Sequence, residues 1–287
     1  MQSALFRGVV GTAVLLLTLA SLPGVAFADP AAQAFADGEK LLAKADFEGA
    51  LRAFAQAAKA DRSKPEYMQQ YALLNRVVGL RKQLATEEDA AQWENIARSL
   101  HSFYISRGLY EEALPLDEKI HTKLGSAYSA AMLAETQLVL DREADALKVL
   151  SELSDAKQNA NTRALKALAL TRLGKADEAR EVAKAIELPA DSGPATIYSV
   201  ARMQAAVGNT DGAIALLKRC LESVPPSQLE NFRKHAKATR EFAQISTTAE
   251  FSKVLETASK VAESACSGGS NCASCPMRGQ CSGGAKQ

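Results

Sequence analysis

Histidine and tryptophan are scarce in this chain: three His and one Trp among 287 residues. His101, His121 and His235 stand far apart, and no pair of them has metal-ligand spacing. That excludes the helical two-histidine zinc site of metallohydrolases. No Gly-rich loop follows a strand, and no segment alternates apolar and polar residues, so a phosphate-cradling α/β fold is excluded as well. Charge of one sign is also lacking. The 34 basic residues face 33 acidic ones, and such neutrality argues against nucleic acid or an anionic membrane as the main partner. After residue 22 no run is apolar enough to span a bilayer. Of five cysteines, four fall between positions 266 and 281.

What is present begins with a segment that reads as a secretory signal peptide. Arg7 precedes an apolar run from Val9 to Leu22, Pro23 and Gly24 break it, and Ala26-Phe27-Ala28 offers small residues for cleavage after Ala28. The expected mature chain starts at Asp29, is neutral, and is secreted or periplasmic, where thiols tend to oxidise.

The body of the sequence is periodic. "AKADFEGALRAFAQA" (43–57), "SRGLYEEALPLDEKI" (106–120), "LDREADALKVLSEL" (140–153), "RLGKADEAREVAKAI" (172–186) and "AVGNTDGAIALLKRC" (206–220) each pass from a turn into an alanine that opens an amphipathic run. These alanines are Ala50, Ala113, Ala146, Ala179 and Ala213. The last three intervals are 33, 33 and 34 residues. The first is about twice that, which places a degenerate unit around 64–92. Two helices approach closely only where side chains are small, so an alanine marks each crossing while Leu and aromatic residues fill the flanking grooves. One such pair leaves an apolar face bare, and neighbouring pairs must stack to cover it.

The period and these small residues resemble the tetratricopeptide repeat (TPR) family in its secreted bacterial form. The resemblance implies an all-α, right-handed superhelical solenoid of antiparallel helix pairs over 29–226. A helical C-terminal cap over 227–264 and an irregular Cys-rich tail over 265–287 would follow. Capping boxes are expected at Thr86/Asp89, Ser227/Glu230 and Thr247/Glu250, the last opening a helix to about Ser264. "REFAQISTTAEFSKVLETA" (240–258) is similar to the closing segment of bacterial repeat proteins, with Phe242 and Phe251 as anchors.

No catalytic constellation has credible spacing, so no enzyme activity and no cofactor are expected. His101 falls at a packed small-residue position and reads as a hydrogen-bonded core histidine. His121 ends a helix, where the dipole favours it, and His235 in "FRKHAK" reads as a solvated basic face. The resemblance instead implies a concave groove lined by the first helix of each pair. Carried over by position, its residues are Phe35, Glu39, Asn95, Arg98, Ser102, Tyr128, Glu135, Asn161, Arg172, Tyr198 and Arg202. Arginine forks among Asn and Tyr suit an extended protein or peptide segment, the guanidinium groups pairing with its carboxylates.

Cys220 lies at a packed repeat position and reads as a buried, inert thiol. The tail cysteines Cys266, Cys272, Cys275 and Cys281 are spaced C-x5-C-x2-C-x5-C among glycines. Such a segment cannot bury enough apolar surface to fold unaided. In an exported chain the leading expectation is two disulfides, with three possible pairings. The alternatives are a four-thiolate zinc or copper site and thiol–disulfide exchange at Cys272/Cys275, which lacks the usual helical setting.

Overall fold

A computed structural model of the chain describes residues 29–262. The expected signal segment and the four tail cysteines lie outside them. The described residues fall into two compact units that divide between Leu74 and Asn75.

The first unit holds α1 (Pro30–Ala43), α2 (Phe47–Ala60) and the start of α3 (Pro65–Thr86). Asp29 caps α1 by accepting from Ala31 N, and Asp46 caps α2 by accepting from Gly49 N. Each satisfies a backbone donor that a helix start leaves bare. The α1–α2 crossing requires Gly38: a Cβ there would lie 2.6 Å from the Phe54 ring. Phe35 is 4.7 Å from Tyr67, ring to ring, and packs on Ala31, Ala57 and Ala58. It belongs to this apolar cluster, although the repeat resemblance placed it on a groove.

The second unit continues from Asn75 through ten further helices. They are α4 (Ala90–Ser106), α5 (Tyr110–Leu124), α6 (Ala127–Val139), α7 (Glu143–Ser151), α8 (Ala160–Arg172), α9 (Ala176–Lys184), α10 (Pro194–Ala206), α11 (Thr210–Ser223), α12 (Pro226–Ala238) and α13 (Ala249–Leu255). Helices adjacent in sequence pack as hairpins from α4 to α9 and again at α10–α11, while α8 also packs on both α6 and α10. First helices therefore line up side by side, the arrangement that lets each pair cover the next. The marker alanines Ala113, Ala146, Ala179 and Ala213 are all 0% exposed. The turn between the helices of a pair needs one left-handed residue. Gly174 (φ 76) and Gly208 (φ 88) supply it in two pairs, and Asp141 (φ 54) takes the same place in a third.

Three expected helix starts shift. Asp89 caps α4 by accepting from Gln92 N at 2.7 Å, while Thr86 closes α3 by donating to Gln83 O. Pro225 precedes α12 with no side-chain cap, since Pro226 at the first position brings no N–H to satisfy. Thr248, not Thr247, caps α13 through Phe251 N. That helix stops at Leu255 and does not reach Ser264. The described residues after it, 256–262, run as irregular chain, tied by Lys260 N donating to Glu222 O.

The closing core forms around the two expected anchors. Phe242 and Phe251 lie 5.8 Å apart and pack with Leu217, Leu221 and Val254. Phe242 sits on a 3-10 turn, Arg240–Phe242, that leaves α12 and folds back toward α10.

Candidate functional site

The first helices of the second unit line an open cavity of about 370 Å³. His101 and Ile105 of α4, Met132 and Glu135 of α6, Asn161 of α8 and Tyr198 of α10 are among its walls. His235 of α12 lies at one edge, 5.5 Å ring to ring from Tyr198. This volume lies within the range of small-ligand and side-chain pockets.

Of the nine groove residues in this unit expected from the repeat, five line the cavity: Tyr128, Glu135, Asn161, Tyr198 and Arg202. Arg172 lies in the adjoining cleft of about 320 Å³, which shares Tyr110, Glu135 and Arg202 with the cavity. Asn95, Arg98 and Ser102 sit on α4 outside the lining. Arg98 bonds Glu94 and covers the Tyr128 ring at 4.2 Å. Ser102 donates to the carbonyl of Arg98.

Two arginines here are already engaged by the chain itself. Arg202 is 5% exposed and donates to Glu135 Oε1 and, from Nε at 3.0 Å, to Glu241 Oε2. Arg172 donates from Nε to Glu241 Oε1 at 3.1 Å, also from Nη2, and from Nη1 to Leu138 O at 2.5 Å. Glu241 sits one residue before the buried anchor Phe242, which holds its carboxylate between the two forks. Burial raises the Glu241 pKa, but Arg202 and Arg172 outweigh that and hold it below the usual carboxylate range. Burial likewise works against the charge on Arg202, and Glu135 and Glu241 more than compensate, so it stays charged at any accessible pH. The sequence matched these arginines with carboxylates of a ligand. The structure supplies those carboxylates internally.

A second polar unit stands in the wall. Asp117 of α5 is fully buried; His101 Nδ1 lies 2.7 Å from its Oδ1, and Thr136 Oγ1 donates to its Oδ2 at 2.6 Å. His101 is thus a hydrogen-bonded histidine, as its packed repeat position predicts. With Nδ1 occupied, Nε2 is the ring nitrogen left for the cavity. The hydroxyl nearest this pair, that of Thr136, is used on Asp117, so the unit orients a ring without activating a nucleophile. Asp117 carries a sequence signal: it falls on the apolar stripe of α5 between Ala113 and Ile120.

The remaining singled-out residues are structural. Tyr198 donates to or accepts from Thr239 at 2.6 Å, and burial pushes its phenol pKa up. His121 lies in the last turn of α5, 3.1 Å from Ser129 Oγ. His235 is solvent-exposed, as the basic face expected of it requires, and it also edges the cavity; desolvation and then Arg202 lower its pKa. Cys220 is buried, its Sγ 3.3 Å from Pro194 O, and burial pushes its pKa up to about 12. Among the described residues no helix is long and apolar enough to cross a membrane, and no three His, Cys, Asp or Glu side chains gather as a metal site.

No protein-family model matches this chain, and no curated protein matches it. Solved structures do. A thermophilic TPR protein of Thermus thermophilus, TTC0263, shares 20% identity over 72% of this chain and 98% of its own, with a TM-score of 0.33. The MamA protein shares 18% over 72% and 97%, with a TM-score of 0.31. A tetratricopeptide repeat protein of Parabacteroides merdae shares 13% over 80% and 99%, with a TM-score of 0.40. Superpositions this loose carry nothing about function. The fold class rests on the chain's own stacked helix pairs: the described residues form an all-helical array of repeated antiparallel pairs, similar to those three.

Proposed function

We propose that the chain is an exported helical-repeat scaffold that holds an extended segment of a protein partner in the cavity of its second unit. The supporting observation is the cavity itself. Successive first helices build it, its walls are mainly apolar, and Tyr128 stands 55% exposed at its edge. An exposed aromatic beside a concave apolar site is the usual anchor position of an interface. The reading is binding rather than catalysis, because the charged groups of the walls are bonded within the chain: Arg202 to Glu135 and Glu241, and His101 to Asp117.

A photoreactive amino acid at position 128 tests this in extract from the native compartment. It should cross-link one partner segment, and Val139→Trp, which fills the cavity from a wall position 41% exposed, should abolish the product while the circular dichroism stays helical. Cross-linking undiminished by the filled cavity would count against the reading.

The same proposal includes cleavage after Ala28 and two disulfides among Cys266, Cys272, Cys275 and Cys281. Thiol titration of the denatured, natively purified protein should find Cys220 alone. Five titratable thiols with a bound zinc or copper ion would replace the disulfides by the four-thiolate site. Turnover of a disulfide substrate, lost in Cys272→Ser, would favour exchange chemistry.

A further inference from the structure

We propose that the partner anchors in this cavity through an uncharged aromatic side chain with a hydrogen-bonding tip, a tyrosine or a tryptophan. This rests on the groove reading above and deepens it. Apart from His101 and His235, the charged side chains lining the cavity are Glu135 and Arg202, and they bond each other. In the adjoining cleft Asp141 and Glu241 join Glu135 against Arg172, Arg202 and Arg240, so the charges balance. Arg240 bonds Asp141, and Glu241 bonds both Arg172 and Arg202. His101 is held by Asp117, while desolvation and Arg202 disfavour the charged form of His235. No net charge is left over to receive an ion. A charged side chain entering here would lose water without gaining a counter-ion.

What the walls leave unmatched is apolar surface, an amide and a hydroxyl. Ile105, Met132, Val139 and Leu165 line the space with the rings of Tyr128 and Phe232. The Thr136 hydroxyl is spent on Asp117, that of Tyr198 on Thr239, and that of Ser199 on the Ala195 carbonyl. Asn161 differs. It stands in the same lining, and its Oδ1 is buried with no hydrogen-bond partner. The Tyr110 hydroxyl also lines the cavity without a hydrogen bond among the described residues. A buried carbonyl without a donor costs free energy that a ligand N–H or O–H recovers. A Tyr hydroxyl or a Trp indole N–H supplies that donor, while the ring behind it meets the apolar and aromatic walls. Phenylalanine and leucine match the walls and leave the amide bare.

The test uses dye-labelled hexapeptide pools with Tyr, Trp, Phe, Leu, Lys or Glu fixed at one central position. Binding to the full mature chain is read by fluorescence anisotropy, and the methyl resonance of labelled Met132 reports the site. Tyr and Trp pools should bind about fivefold more tightly than the Phe pool, the worth of one neutral hydrogen bond. They should bind about tenfold more tightly than the Lys and Glu pools, and added salt should leave that order unchanged. Asn161→Ala should erase the difference between Tyr and Phe pools. Its thermal unfolding should come no earlier than that of the unaltered chain, because the carbonyl removed bonds nothing. Shifts at Met132 with equal Tyr and Phe affinity, or with a charged pool bound most tightly, would overturn the aromatic donor and leave the groove reading standing. A Tyr preference that survives Asn161→Ala would overturn it as well. No shift at Met132 from any pool would overturn both.

Discussion

Glu241 bonds Arg202 across 39 residues of sequence, Nε to Oε2 at 3.0 Å, and thereby ties the closing segment to α10, one of the side-by-side first helices. The same carboxylate bonds Arg172 of α8 through its other oxygen. One acidic side chain therefore joins the cap to two successive repeat pairs. It is fixed at its root by Phe242, the fully buried anchor beside it.

Glu241→Ala leaves two largely buried guanidinium groups short of a partner. Removing one member of a buried ion pair costs about 3–5 kcal/mol. Arg202 keeps Glu135 and Arg172 keeps the Leu138 carbonyl, so the loss should be about 3 kcal/mol. Urea denaturation followed by circular dichroism measures it. A change below about 0.5 kcal/mol would mean that the pair is solvated and not a tie.

Acid should loosen the same tie. The folded-state pKa of Glu241 lies below its ordinary value of 4.5. Its contribution is complete above that ordinary value and is lost as pH falls through the lower folded value. The stability gap between the unaltered chain and Glu241→Gln should therefore be widest near neutrality and shrink below about pH 4. A gap that stays constant with pH would show that the carboxylate charge is not what holds the segment.

The alanines at the helix crossings should resist enlargement. Ala146→Leu adds three carbons at a position with no exposed surface. The α6–α7 and α7–α8 contacts would have to open, at a cost of about 3 kcal/mol. Leu147→Ala, at a half-buried neighbouring position, should cost less. Equal losses at the two sites would contradict the close crossing.

Asp117→Ala strips the acceptor from His101 and Thr136 together. Two donors in a wall with little water should cost about 2 kcal/mol, with the His101 ring resonances broadened in NMR spectra as the ring loses its orientation. A sharp, unshifted His101 signal would show that something other than Asp117 orients the ring.

Cys220 should be silent toward thiol reagents while the fold persists. Burial pushes its pKa up to about 12, which leaves almost no thiolate at pH 8. In a variant with serine at all four tail cysteines, labelling should follow global unfolding. Reaction at the rate of an unfolded thiol would place Cys220 outside the core.

Much of the architecture is legible in the residue pattern because helix packing is a local, periodic demand. Ala50, Ala113, Ala146, Ala179 and Ala213 announce each close crossing, and all five are buried. Phe242 and Phe251 announce the closing core. Helix starts are less legible: Asp89 and Thr248 cap in place of Thr86 and Thr247, because neighbouring polar residues offer near-equal caps and the packing of the helix selects one. Of the residues carried over from the repeat pattern, only part share one surface. Tyr128, Glu135, Asn161, Tyr198 and Arg202 do come together.

The sequence alone settles that the chain is helical and that its helices pair at alanines, since close approach depends on side-chain size at a fixed spacing. It also puts arginines on the inner face. Only the tertiary structure decides that those arginines meet Glu241 and Glu135 from within. A long-range ion pair leaves no periodic trace: "REF" gives no sign that its glutamate will lie against side chains 39 and 69 residues earlier. The charge that a groove offers to a partner is what remains after such internal pairing, and it exists only once the chain has folded.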